Sequence, residues 1–212
     1  EFLESYFPLR IDIYETIIDT GGAGKNRGGN GLRIGYRFLE PGEISIHDDR
    51  WLTYPWGANG GEPGARSTKL LKRADGTEEI LPSKMDHIKV EAGDLLLSDT
   101  WGGGGWGDPF ERDAKQVAFD VAAGLVSIKG ARRYGVVIKS DHSLDEIATT
   151  SLRKEMAAKR GPKKIFDRGF DSIDELKARC KAETGLEPPA QPQFTKWAKR
   201  LTEERKKAVS VR

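Results

Sequence analysis

The sequence predicts an α+β protein, with a glycine-rich β region over about residues 1–107 followed by a helical C-terminal extension. Two observations carry that prediction. Short runs rich in β-branched and aromatic residues alternate with glycine loops as far as DTWGGGGWGDP, residues 99–109. From Asp108 onward the apolar residues recur at helical spacing instead.

The elements follow in order. YFPLRIDIYETII (6–18) alternates as a half-buried strand should. DTGGAGKNRGGNG (19–31) carries too many glycines for a helix, and LRIGYRFLE (32–40) returns as a second strand. PGE turns the chain into ISIHDDRW (44–51). TYPWGANGGEPGARS (53–67) is a loop long enough to serve binding or an interface. STKLLKR, ADGTEE and ILP predict a hairpin around Asp75 and Gly76. HIKVEAGDLLLSDT (87–100) supplies two more short strands joined by Ala92 and Gly93. Pro109 to Ala123 spaces Val117, Ala118, Val121 and Ala122 as one helix face, and Gly124 stops it. SIKGARRYGVVIK (127–139) reads as a short helix leading to a last strand, Tyr134 to Lys139. Helices are then expected over Leu144–Arg160, Ser172–Thr184 and Phe194 to about Val209, linked by GPKKIFDRGF and GLEPPAQPQ. The proline-rich composition of LEPPAQPQ predicts an extended, semi-rigid linker, and the sequence has no internal repeat.

Composition narrows the function. With 212 residues, 37% hydrophobic and 32% charged, one or two domains with a sizeable core are expected. No apolar run approaches the roughly 18 residues a membrane span needs. EFLESYFPLR has no signal-peptide character, and a lone Cys180 fits a reducing, cytoplasmic setting. The net charge of +2 hides an acidic glycine-rich half and a basic tail. Acidic residues interleave with that tail at helical spacing, so it reads as solvated or docking helix faces rather than a nucleic-acid surface. Phe2, Leu3, Tyr6 and Phe7 are apolar from the outset, as in a piece of a larger polypeptide or assembly.

Several motifs invite a catalytic reading and fail it. Gly102, Gly104 and Gly107 satisfy G-x-G-x-x-G, but a dinucleotide loop needs an open helix N-terminus. Here Asp108, Pro109 and Glu111 read as N-cap, N1 and a capping-box partner, which fill that end with carboxylates. The glycines more plausibly let Trp101 and Trp106 pack around a tight backbone excursion. GGAGKN (21–26) lacks the P-loop spacer and places Asn26 where a hydroxyl should hold magnesium. His47, Asp48 and Asp49, joined by Asp86 and His87 from the MDH triplet, could ligate a divalent metal. The blander reading, an Asp48 or Asp49 charge network with Arg50, is preferred. Cys180 has no evident base, His142 reads as a loop residue beside a helix N-cap, and no G-x-S-x-G is present. The catalytic residues stay unassigned.

Taken together, the blocks FPLRIDIYE, DTGGAGKNRGGNGLRIGYRFLE, DDRWLTYPWGANGGEPGA, LPSK, WGGGGWGDPFERD and ARRYGVV resemble the C-terminal part of the hydantoinase B family, also called the 5-oxoprolinase C-terminal-half family. They run in the family's order from near residue 1 to about 138. HDDRW, TYPWGANGGEPGARSTK and the extension past residue 140 look most like the large subunits of acetone and acetophenone carboxylases. The resemblance implies a β-rich portion of a hydantoinase B-type domain over residues 1–140 and a helical extension for subunit assembly over 141–212. It implies an ATP-dependent ketone carboxylase using bicarbonate, with a cyclic amidase or a non-catalytic scaffold as the alternatives. ATP and magnesium would belong to a hydantoinase A-like ATPase partner. A divalent metal would belong to the N-terminal part of the same subunit type and none to this segment, and a small third subunit is compatible with such an assembly. Arg50, Trp56, Arg66, Trp101 and Trp106 are the expected wall of a channel for substrate or intermediate. The arginines would hold anions, unless each is a structural salt bridge.

Overall fold

The computed structural model describes residues 2–190 and Glu203, so the helix expected from Phe194 to about Val209 lies almost wholly outside the described residues. A five-stranded antiparallel sheet forms the body, built from β1 (Leu9–Thr16), β2 (Leu32–Phe38), β5 (Thr68–Lys72), β6 (Glu78–Ile80) and β8 (Leu95–Asp99) in the order β1-β2-β8-β5-β6. β5 and β6 are the hairpin read around Asp75 and Gly76, with Gly76 at φ 88° in the turn. The first strand starts later than its alternation implied. Phe2–Tyr6 forms a short helix, α1, and Pro8 separates it from β1.

Alternation gives this sheet two faces. Tyr36, Leu96 and Leu71 are cross-strand partners on one of them. They pack with Ile44, Ile46, Ile88 and Val90 from a two-stranded ribbon of β3 (Gly42–His47) and β7 (Lys84–Val90), closing a core with Phe38 and Leu81. β7 and β8 are thus joined through Ala92 and Gly93 yet belong to different sheets. A bulge sets Asp86 and His87 opposite Ser45, with His87 at φ 58°.

Three glycine-rich threads, residues 19–31, 55–65 and 100–107, run side by side with almost no regular structure. Their amides are spent on one another. Gly22 N donates to Gly103 O at 2.8 Å, Gly103 N to Gly29 O at 2.8 Å, Glu62 N to Ala23 O at 2.7 Å and Gly105 N to Glu62 O at 2.9 Å. A Cβ on Gly102 would strike the Thr20 carbonyl oxygen, one on Gly104 the Trp56 carbonyl and one on Gly28 the Gly103 carbonyl. The glycines are therefore a packing requirement: no other residue lets these backbones approach so closely.

Beyond the threads, the expected helix from Pro109 divides. Asp108 caps a single 3₁₀ turn, Pro109–Glu111, and Asp113 caps α2 (Ala114–Ala122) afresh. Each capping carboxylate satisfies an orphan amide, so the chain restarts rather than continues. Val117 and Val121 of α2 join Ala23, Val126, Ala131, Tyr134, Val136 and Ile138 in a second core. No strand forms over Tyr134–Lys139. Ala131 to Tyr134 lie in a second 3₁₀ turn, Gly130–Tyr134, and only an Ile138–Leu144 bridge follows.

The extension carries α3 (Glu146–Lys159) and α4 (Ile173–Thr184), capped by Asp145 and Ser172. It returns to the body repeatedly. Arg153 donates to the Tyr134 and Arg112 carbonyls at 3.1 and 2.6 Å. Between the helices, β9 (Phe166–Asp167) pairs antiparallel with β4 (Gly57–Ala58) of the middle thread. Among the described residues no helix is long and apolar enough to cross a membrane.

Candidate functional site

The threads place an aromatic face. Ala58 bridges Trp106 in parallel on one side and Phe166 antiparallel on the other. Laterally paired residues project to the same side of a sheet, as does the residue two positions away. Trp56, Trp106 and Phe166 therefore share a face, with the small Ala58 as its floor. Their side chains are 53%, 49% and 62% exposed. The Trp56 and Phe166 rings meet edge to face, centroids 6.4 Å apart at 71°.

Arg50 completes this face. Its guanidinium carbon lies 5.3 Å from the Trp56 ring centroid, a cation–π distance. Its backbone is left-handed at φ 56°, a conformation a long side chain adopts only when its surroundings impose it. Among the described residues it has no ion pair or side-chain hydrogen bond. A half-buried guanidinium laid on an aromatic ring has the chemistry to receive an anionic group.

The other two expected wall residues lie apart. Arg66 has a side chain only 5% exposed; it pairs with Glu183 of α4, donates to the Trp51 carbonyl at 2.9 Å and lies over Tyr54 at 5.2 Å. It fastens the extension to the body. Trp101 is half exposed at the start of the third thread and makes no ring contact with Trp56, Trp106 or Phe166. Sequence reasoning missed Phe166, because IFDRGF read as a linker. The available signal was an adjacent apolar pair, Ile165-Phe166, inside a polar connection.

The polar cluster resolves into separate pairs. Asp48 accepts from the buried Lys69 ammonium at 2.9 Å, and Asp49 faces Lys84 at 3.6 Å, so neither joins Arg50. His47 sits 3.2 Å from Asp86. Glu43 engages both Lys89 and His87, which hold its carboxyl below the usual range while it raises the His87 imidazole. Among the described residues no three His, Cys, Asp or Glu side chains converge as a metal requires. Cys180 is buried in α4.

A separate cleft of about 450 Å³ is lined by Gly60, Glu62, Phe110, Arg133, Arg160 and Asp167 among others. Its cations are engaged internally. Arg160 stacks on Phe110 at 4.5 Å and pairs with Asp108, which Lys163 also reaches at 2.9 Å. The Arg160 guanidinium, helped by Lys163, holds the buried Asp108 carboxyl far below its ordinary value. Arg133 binds Glu62 at 2.8 Å. The threads fit a nucleotide poorly too. Gly22, Gly102, Gly103 and Gly105 spend their N–H groups on neighbouring carbonyls, so these amides are not turned toward a phosphate.

The family model described as hydantoinase B/oxoprolinase matches residues 1–109. The uncharacterized protein MJ0963 of Methanocaldococcus jannaschii is 41% identical over 157 residues, covering 72% of this chain and 28% of that protein. Caprolactamase subunit beta of Pseudomonas jessenii is 35% identical over 161 residues, covering 72% of this chain and 27% of the relative. The crystal structure of that organism's ATP-dependent caprolactamase superposes with a TM-score of 0.60 at 34% identity, over 72% of this chain and 27% of the other. Nucleotide-free acetone carboxylase superposes with a TM-score of 0.60 over 73% of this chain and 26% of the other, but at 23% identity, a likeness of fold alone. The chain spans about a quarter of the length of these proteins. It belongs to the hydantoinase B/oxoprolinase family.

Proposed function

We propose that this chain forms part of the hydantoinase B-type subunit of an ATP-dependent enzyme that opens a cyclic amide. The observation that carries the reading is identity of 35% to caprolactamase subunit beta over 161 residues. In this reading the Arg50–Trp56–Trp106–Phe166 face is one wall of the path taken by the substrate or its activated form. The aromatic rings exclude water from a hydrolysable intermediate, and Arg50 receives its anionic group. ATP and magnesium belong to a hydantoinase A-like partner, and a divalent metal to the larger remaining part of the subunit. The setting is cytoplasmic.

A second reading, the ketone carboxylase, draws support from the HDDRW and TYPWGANGGEPGARSTK blocks and from the fold shared with acetone carboxylase. One experiment separates the two. The assembly purified through this chain is assayed for ATP hydrolysis with caprolactam, 5-oxoproline, a hydantoin, acetone and acetophenone, each with and without bicarbonate. Turnover driven by a cyclic amide without bicarbonate is the expected outcome. Ketone-stimulated turnover that requires bicarbonate and fixes labelled carbon would replace it with the carboxylase. An assembly that forms but turns over nothing would leave a scaffold.

A further inference from the structure

Among the described residues the aromatic face is stiff and about half exposed. Trp56 and Trp106 stand on threads tied to each other by backbone hydrogen bonds, Ala58 N to Gly105 O and Gly107 N to Ala58 O, both 2.9 Å, and Phe166 stands on β9, which pairs with β4. Little ordering is therefore needed when something covers them. Tryptophan and arginine are the residue types that dominate protein–protein contact energies, and here they cluster around a small floor. Arg50, half-buried over the Trp56 ring, has no carboxylate of its own among the described residues. Three exposed rings make the centre of an interface rather than a whole one, because specific interfaces bury about 1,200–2,000 Å² in total. The covering surface must therefore be large.

We propose that this face is the seam against the larger part of a hydantoinase B-type subunit, the part outside the stretch this chain matches. Relatives are nearly four times the length of the matched region, so a polypeptide of the needed size accompanies this region in the family. The partner surface presents aliphatic or proline side chains to the rings and a backbone carbonyl to Arg50, whose remaining N–H groups stay turned to the path. The proposal rests on the family-level reading above and makes the wall of the path a joint product of two polypeptide parts.

The test co-expresses the tagged full chain with the Pseudomonas jessenii caprolactamase subunit beta from which the matched region has been deleted. Co-elution is measured alongside acrylamide quenching of tryptophan emission, with W56F and W106F variants assigning the signal. The wild-type chain is expected to retain the partner, and quenching of Trp56 and Trp106 to fall at least twofold in the complex. W56S/W106S/F166S is expected to weaken association tenfold or more, and R50E to do so while R50K keeps most of it. Unchanged far-UV spectra and Tm of the isolated variants control for folding, since these side chains lie at the surface. Association that survives the triple variant undamaged, with quenching unaltered, overturns the seam and leaves the family-level function intact. A homodimer of the isolated chain that the triple variant dissolves makes a second copy the occupant and overturns it too. No association of the wild-type chain rejects the seam outright, and the cyclic-amide assay then decides the functional reading separately.

Discussion

Asp108 shows how one side chain can be read correctly by type and incompletely by role. It caps the 3₁₀ turn by accepting from Phe110 N at 2.9 Å, which its place before proline foretold. It also receives Arg160 and Lys163 from the extension, over 50 residues away, which nothing local could announce. Its carboxyl is buried while both cations are partly exposed, so the attraction is screened on one side only. Asp108→Asn is expected to cost about 1–3 kcal/mol near pH 7, read by urea unfolding. The folded-state carboxyl is depressed, so its contribution is fully present above the unfolded value of about 3.9. It is lost as pH falls further, toward the folded value. The gap between wild type and Asp108→Asn should therefore be flat from pH 7 to about 5 and narrow below 4. A gap that widens in acid would show the pairing contributes nothing. Arg50 is a counterpart: an arginine in HDDRW suggested an anion contact, which stays a proposal, and its left-handed backbone was not legible at all.

At the scale of elements, the threads explain why glycine spacing resembled two nucleotide motifs without being either. Glycine repeats wherever backbones crowd, around phosphate or around another backbone, and the sequence records only the crowding. The structure separates these cases position by position. A Cβ on Gly102 would collide with the Thr20 carbonyl, whereas one on Gly29 meets nothing within 4 Å. Gly102→Ala is expected to cost about 3 kcal/mol or more, because rigid backbone, not a movable side chain, must yield. Gly29→Ala is expected to be neutral or to stabilise by up to about 1 kcal/mol through the unfolded chain. Equal effects in thermal unfolding would mean the threads are looser than their hydrogen bonds imply. Strands and hairpins were legible from alternation, as β2 and the β5–β6 turn attest. The ribbon of β3 and β7 was not, because local pattern identifies a strand without naming its partner. The Tyr134–Lys139 run fails as a strand for a related reason. Tyr134, Val136 and Ile138 are all buried among α2 and its neighbours, where alternation marks a core-facing segment with no ladder beside it.

Across the whole molecule, the extension and the body share their boundary intimately. Val137 N donates to the buried Thr149 hydroxyl at 3.0 Å, and Asn59 N and Gly60 N donate to Ile165 and Lys164 carbonyls at 2.7 and 2.9 Å. Glu183 fastens α4 to Arg66, with the Tyr54 hydroxyl at 3.2 Å. The switch to helical spacing at Asp108 signalled a change of secondary structure and the resemblance implied a boundary near residue 140, but neither announced these long-range contacts, which depend on chain return. They bear on the proposed wall directly, since Phe166 reaches the aromatic face only because β9 pairs with β4. A chain ending at residue 140 should therefore lose two properties together. It gives up the partners of Asp108 and Arg66 and the edge covering Gly57–Ala58, so its urea midpoint should fall well below that of the full chain. It also leaves Trp56 without the Phe166 edge, so acrylamide quenching of tryptophan should rise in the folded baseline. A midpoint unchanged by truncation would mean the helices ride on a body that folds without them. Loss of quenching contrast with the midpoint lowered would instead mean that β9 shields nothing, and Phe166 would drop out of the wall.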